Sequence, residues 1–259
     1  YTPYQPEVSQ GTLQAIFEYQ TAMARLTGMD VSNASMYDGG TALFEGVMMA
    51  LRATKRSRVL VDKGVNPIYR TMLKSYTRNI RIGYEEIDLA DGLTDRAEIR
   101  SRLDKSVGAV VVQNPNFFGC VDDYSDLADS VHSFGALVIA SVYPVSLGLI
   151  KPPGEMGVDI VTGEGQCLGN PLSFGGPYLG FLCTTKKLVR SMPGRVVGET
   201  TDAQGRTGYV LTLQAREQHI RRQKATSNIC SNEALCALRA LVYLSLTGKN
   251  GFADLANSC

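Results

Sequence analysis

Tryptophan is missing from this 259-residue chain, and Phe, Tyr and Trp together make up only 8% of it. Platforms for stacking single-stranded bases are therefore sparse. An excess of either charge is missing as well. Lys and Arg number 26 against 25 Asp and Glu, a formal +1, so neither nucleic acid nor an acidic membrane is an expected partner. No apolar run approaches the roughly 20 residues of a membrane span. The opening Tyr1-Thr-Pro-Tyr-Gln-Pro lacks both the basic end and the apolar core of a signal peptide. Histidine is limited to His132 and His219, and none of the six Cys forms C-x-x-C, so a zinc site of standard spacing is not expected. The cysteines read as small apolar fillers of a protein in a reducing cytoplasm. No G-x-x-x-x-G-K-[ST] and no G-x-S-x-G occur, and Gly163-x-Gly165-x-x-x-Gly169 misses the dinucleotide spacing by one residue. An initiator Met is also absent, and the chain stops at Asn257-Ser-Cys just past a helical pattern, so a fragment is expected.

With 44% hydrophobic and 20% charged residues the chain can bury a large core, and no linker or repeat divides it, so residues 1–259 are expected to form one domain. Ser9 is a candidate cap for a helix bearing Leu13, Ile16, Phe17, Gln20, Ala24 and Thr27 on one side and closed by Gly28. Helices are expected next over residues 41–53, 67–76, 95–103 and 122–134, a short one over 186–192, and a last one over 231–247 ending at Gly248. Strands are expected over 58–62, 79–87, 107–113, 136–141, 158–162 and 178–184. Nearly continuous apolar strands alternating with amphipathic helices imply an α/β fold, its mostly parallel sheet covered by helices on both faces.

Ligands of such sheets gather at the carboxyl ends of the strands. There the chain has Asn114-Pro-Asn116, Ser141-Val-Tyr-Pro144 and Gly163-Glu-Gly-Gln166. An enzyme using pyridoxal phosphate (PLP) on this kind of sheet needs an Asp at the end of the first of the two later strands, to pair the ring nitrogen. It needs a Lys in the turn after the second, to bond the aldehyde. The first position holds Ser141, and the turn, Gly165-Gln166, has no Lys. Lys151 lies before the second strand, and Lys186 and Lys187 follow the next one. Asn114 and Asn116 either aim amides into the crevice or serve only their own turn. Residues 34–41, containing Ser35, Tyr37 and Asp38, open the apolar helix. Their amides either receive a phosphate or are capped by Asp38. Residues 216–224 hold Arg216, His219, Arg221, Arg222 and Lys224, either a solvated helix face or a dock for an acidic group.

Several blocks occur together in a recognisable order. They are Gln10-Gly-Thr-Leu-Gln-Ala, Asn33-Ala-Ser-Met-Tyr-Asp-Gly-Gly-Thr-Ala42, Val112-Gln-Asn-Pro-Asn-Phe, Leu149-Ile-Lys-Pro-Pro-Gly154 and Gly163-Glu-Gly-Gln. Leu172-Ser-Phe-Gly-Gly-Pro-Tyr178, Pro193-Gly-Arg-Val-Val-Gly-Glu199, Thr212-Leu-Gln-Ala-Arg-Glu-Gln-His-Ile-Arg-Arg222 and Lys224-Ala-Thr-Ser-Asn-Ile-Cys230 follow. In this the chain resembles the glycine cleavage P-protein family, glycine dehydrogenase (decarboxylating), in its subunit 1 form. The resemblance implies the large domain of a fold-type-I PLP-dependent transferase and a hetero-oligomer of two plus two subunits. It further implies PLP on the partner, glycine dehydrogenase subunit 2, where it is the electron sink while glycine loses CO2. The aminomethyl group then passes to the lipoyl arm of the H-protein. Subunit 1 has lost the covalent site, in keeping with Ser141 and Gln166. Fold-type-I sites lie between chains, so Tyr1, Tyr4, Ser35, Tyr37 and Asp38 are expected to line the partner's pocket, and Arg216, Arg221 and Arg222 to fix the pairing. The competing expectations are a structural or regulatory paralogue outside catalysis, and a self-sufficient PLP enzyme with an unusual lysine.

Overall fold

A computed structural model describes residues 1–259. Ser9, in extended conformation, accepts from Thr12 N at 3.3 Å and starts α1 (Gln10–Thr27), which Gly28 ends at φ 69°. Its buried stripe takes in Tyr19 and Met23 beside Leu13, Ile16, Gln20 and Thr27, while Phe17 and Ala24 are only half-buried. After β1 (Val31–Ser32), Asp38 caps α2 (Gly39–Thr54). There follow β2 (Arg58–Asp62), α3 (Pro67–Thr77), β3 (Gly83–Ile87), and a small hairpin of β4 (Leu89–Ala90) and β5 (Leu93–Thr94). Next come α4 (Arg96–Arg102), β6 (Val107–Asn114), α5 (Ser125–Ser133), β7 (Leu137–Val142), β8 (Ile160–Glu164) and β9 (Gly180–Thr184). A hairpin of β10 (Val196–Thr201) and β11 (Thr207–Thr212), a short α6 (Gln218–Arg221) and the long α7 (Ala234–Ser258) complete the chain.

The main sheet has the order β1-β9-β8-β7-β6-β2-β3, and β9 alone runs against its neighbours. Both faces are dry. Val59, Val61, Ala109, Val111, Ile139 and Ile160 pack under α2 against Leu43, Val47 and Ala50. Leu60, Val110, Val112, Val138, Ala140 and Val161 point the other way, toward α1, α5 and α7. That is the period of two expected of strands buried on both sides. No helix is long and apolar enough to cross a membrane.

Several elements differ from the sequence expectation, among them β8, which runs from Ile160 to Glu164 rather than over 158–162. β3 begins at Gly83 because residues 78–82 form a turn. α5 begins at Ser125, whose N–H and hydroxyl are held by the Asp123 carboxylate, while the backbone of Asp122 is bonded to the Asn114 side chain. α7 does not stop at Gly248. The backbone kinks there (φ 60°, ψ −176°), and the helix resumes so that Phe252 and Ala256 bury against Gly148. The β10–β11 hairpin has no counterpart in the apolar pattern, because most of its side chains face water or are only half-covered.

Candidate functional site

The carboxyl ends of β6, β7 and β8 open beside the amino end of α2. Ser141 is buried on β7, paired in register with Gln113 of β6 and Thr162 of β8, and Thr162 Oγ1 has no hydrogen-bond partner. The half-buried Gln166 folds back, its side-chain amide donating to Asn170 O. Between the glycines of that turn stands Glu164. Its carboxylate accepts from Gly39 N at 3.0 Å, Gln166 N at 2.9 Å and Leu179 N at 2.8 Å. One residue before α2, Asp38 accepts from Thr41 N at 2.7 Å and Thr41 Oγ1 at 2.9 Å, so Asp38 is the cap. Burial pushes the Glu164 carboxyl up, and its three N–H donors pull it back in part. Burial and the neighbouring Glu164 and Asp38 likewise push the Tyr69 phenol up.

Space is as short here as donors are. A methyl on Gly39 would sit 2.5 Å from the Tyr69 hydroxyl, and one on Gly40 2.6 Å from Met72 Sδ. β9 enters so close that a side chain on Gly180 would strike the backbone of Asp38. The lysines lie elsewhere. Lys151 Nζ donates to Ser125 Oγ at 2.9 Å and lies 3.2 Å from Asp123, and Lys186 follows β9 with its backbone N–H on Asp30. These residues do not fit PLP. Ser141 is no carboxylate for the ring nitrogen, no amine stands in the turn after β8, and the Gly39 and Thr41 N–H groups at the start of α2 are taken by Glu164 and Asp38.

A second constellation gathers most of the other sequence candidates at one end of the molecule. Tyr1 O accepts from Leu235 N, and Thr2 Oγ1 donates to Asn232 Oδ1 at 3.0 Å. Arg195 donates to Pro3 O at 2.8 Å and Tyr4 O at 3.4 Å. Ser35, fully buried at φ 153°, accepts from Glu233 N at 3.0 Å, and the Tyr37 hydroxyl meets the N–H groups of Cys230 and Ser231. Arg216 donates to Gly194 O at 2.8 Å, and its Nε is buried without a partner. Tyr1 and Tyr4 remain 67% and 84% exposed as whole residues.

Other candidates fall outside it. Asn114 is buried with both side-chain atoms on the backbone of Asp122, and Asn116 with its own on Phe118 N, Cys120 N and Gly92 O. Neither amide is aimed into the crevice; both serve their loops. Arg221 and Arg222 are exposed on an interrupted helical turn rather than on one helix face. Sequence reasoning missed Glu164, although a carboxylate inside a glycine-rich turn directly after a strand was the available signal. It also missed Arg195, Asn232 and Glu233, which only the folded chain brings beside residues 1–4.

The profile of the family described as "Glycine cleavage system P-protein" matches residues 1–259. The chain belongs to that family. Among curated members, the "Probable glycine dehydrogenase (decarboxylating) subunit 1" of Geotalea uraniireducens (strain Rf4) is 62% identical over 256 residues, 99% of this chain and 58% of the relative. The protein of the same name from Desulforamulus reducens (strain ATCC BAA-1160 / DSM 100696 / MI-1) is 58% identical over 259 residues, again 58% of the relative's length. The chain thus spans less than two thirds of the P-protein relatives it matches. A solved structure described as glycine decarboxylase (P-protein) of the glycine cleavage system, in inhibitor-bound form, superposes with a TM-score of 0.93 at 53% identity. It covers 98% of this chain and 57% of that one. A putative O-acetylhomoserine (thiol)-lyase from Campylobacter jejuni, described with a pyridoxyl-lysine phosphate, matches at TM-score 0.62 and 14% identity, covering 94% of this chain and 57% of that one. That distant likeness speaks for the shared fold, the fold-type-I architecture of PLP-dependent enzymes.

Proposed function

We propose that this chain is subunit 1 of a two-chain glycine dehydrogenase (decarboxylating), acting in the cytoplasm as part of the glycine cleavage system. Its 259 residues form the large domain of that subunit. PLP and its lysine reside on subunit 2, where the cofactor provides the electron sink for decarboxylation of glycine. The aminomethyl product leaves on the lipoyl arm of the H-protein, and the assembly holds two copies of each subunit. One observation carries the reading. A P-protein fold that matches along the whole chain has a turn after β8 with no Lys, and its anion donors are taken by Glu164.

This chain's contribution is a wall. Tyr1 and Tyr4, held by backbone bonds but largely exposed, form the partner-facing surface together with Tyr37, Asp38 and Arg216, with Ser35 buried behind them. Leu172 and Phe174 stand out on the loop after the Gln166 turn, an exposure that fits an apolar partner surface. Arg221 and Arg222 supply exposed cations for an acidic patch of the partner.

Purifying this chain and the Lys-bearing homologue separately, then mixing them, tests the proposal. Glycine decarboxylation should appear only in the mixture, and borohydride should fix PLP onto the homologue alone. PLP fixed onto this chain, with glycine consumed unaided, would sink the reading. Undiminished activity of the homologue alone would leave this chain a structural or regulatory paralogue.

A further inference from the structure

We propose that Glu164 is a built-in anion standing where a phosphate group would otherwise seat, so that this chain excludes phosphate-bearing ligands with its own carboxylate. Three N–H groups from separate stretches converge on one side chain at 2.8 to 3.0 Å: Gly39 at the start of α2, Gln166 after β8, and Leu179 before β9. A helix start joined by neighbouring loop amides is the donor set that holds an oxyanion. Here the oxyanion is covalently part of the chain. Asp38 removes Thr41 N from the same helix end. Tyr69 and Met72 crowd Gly39 and Gly40, and the Asp38 backbone lies against Gly180. An arriving phosphate would find its donors spent, little room, and two carboxylates of its own sign.

The misfit with PLP is therefore more than a missing lysine. Restoring an amine after β8 would still leave the phosphate without a seat. The proposal concerns this chain's own fold and stands whether or not the glycine reading above holds.

Thermal unfolding of the full chain, with and without inorganic phosphate or PLP, tests it. The wild-type Tm should not respond to millimolar amounts of either. Glu164→Ala leaves three donors without their acceptor and should lower Tm by roughly 5 °C or more. Added phosphate should then recover much of the loss, whereas chloride at equal ionic strength should not. Saturable stabilisation of the wild type by phosphate or PLP overturns the proposal, as does a Glu164→Ala loss that phosphate fails to mend. Should the alanine variant not accumulate as folded protein, Glu164→Gln serves. One acceptor oxygen cannot replace two charged ones, so its Tm must fall while that of the exposed control Glu7→Gln stays in place. Equal values for Glu164→Gln and wild type also overturn the proposal. Glycine turnover by the reconstituted pair is read separately, so failure of one idea is not mistaken for failure of the other.

Discussion

At the carboxyl end of β2, Asp62 is buried and accepts from Gly64 N at 2.6 Å and from the Thr94 hydroxyl. Burial nevertheless outweighs these bonds and pushes its carboxyl up. A carboxyl raised by folding binds its proton more tightly in the native state. Its stabilising share is complete below the unfolded value and is lost as pH rises through the folded one. Asp62→Asn keeps an acceptor for Gly64, turns the Thr94 hydroxyl from donor to acceptor of the new amide N–H, and removes the buried charge. Its Tm at neutral pH should equal the wild-type value or exceed it by up to about 3 °C. As pH rises from about 4, the ordinary carboxylate value, to neutrality, the fall in Tm should be shallower than in wild type. Scanning calorimetry across that range decides it. A large loss at neutral pH would mean that the charge itself is needed, and Arg70, whose charge already favours the ionised form, would be the side chain to examine next.

Among the elements, β8 does most to shape the site, because it carries Glu164 at its end and is squeezed between β7 and β9. A methyl on Gly163 would strike the carbonyl of Val142 and come 2.5 Å from the Phe181 ring. Gly163→Ala should therefore push β8 away from both neighbours and cost about 1–3 kcal/mol as overpacking. That is a fall of roughly 3 °C or more by circular dichroism. Buried strands such as β6 were legible in the sequence because Val107 through Val112 leave no polar face to misread, whereas β8 lies two residues later than the run Val158 through Thr162 implies, at Ile160–Glu164. The caps Ser9 and Asp38 were legible for a different reason, since their chemistry is local. The β10–β11 hairpin was not legible, for its half-exposed residues show no alternation, and neither was the continuation of α7, where tertiary burial of Phe252 and Ala256 overrides Gly248. Site legibility divided the same way. Loss of the Lys and Asp could be read directly from Ser141 and Gln166, but the occupation of α2 by Glu164 spans 125 positions of sequence and exists only once β8 lies beside that helix.

For the molecule as a whole, apolar groups left in water mark where another surface belongs. Tyr4 is the sharpest case within residues 1–4, with its carbonyl accepting from Arg195 and the residue largely exposed. Within this chain the ring buries little, so Tyr4→Ala should shift the Tm of the isolated chain by no more than about 1–2 °C. If residues 1–4 face the PLP-bearing subunit, the same substitution removes an aromatic anchor at an interface. Truncating such anchors typically weakens binding by about 2 kcal/mol or more, near thirtyfold. Titrating variant chain against the Lys-bearing homologue, with glycine decarboxylation as readout, should then require a correspondingly higher concentration for half-maximal activity. Ser35→Ala provides the contrast. Its hydroxyl is buried and bonded to Glu233 N, so its loss should first lower Tm and alter the titration only through the displaced start of α7. Equal titration curves for Tyr4→Ala and wild type would move the partner surface away from the amino-terminal segment. The exposed stripe Leu235, Leu238, Val242 and Leu246 on α7 would then be the next face to test by the same assay.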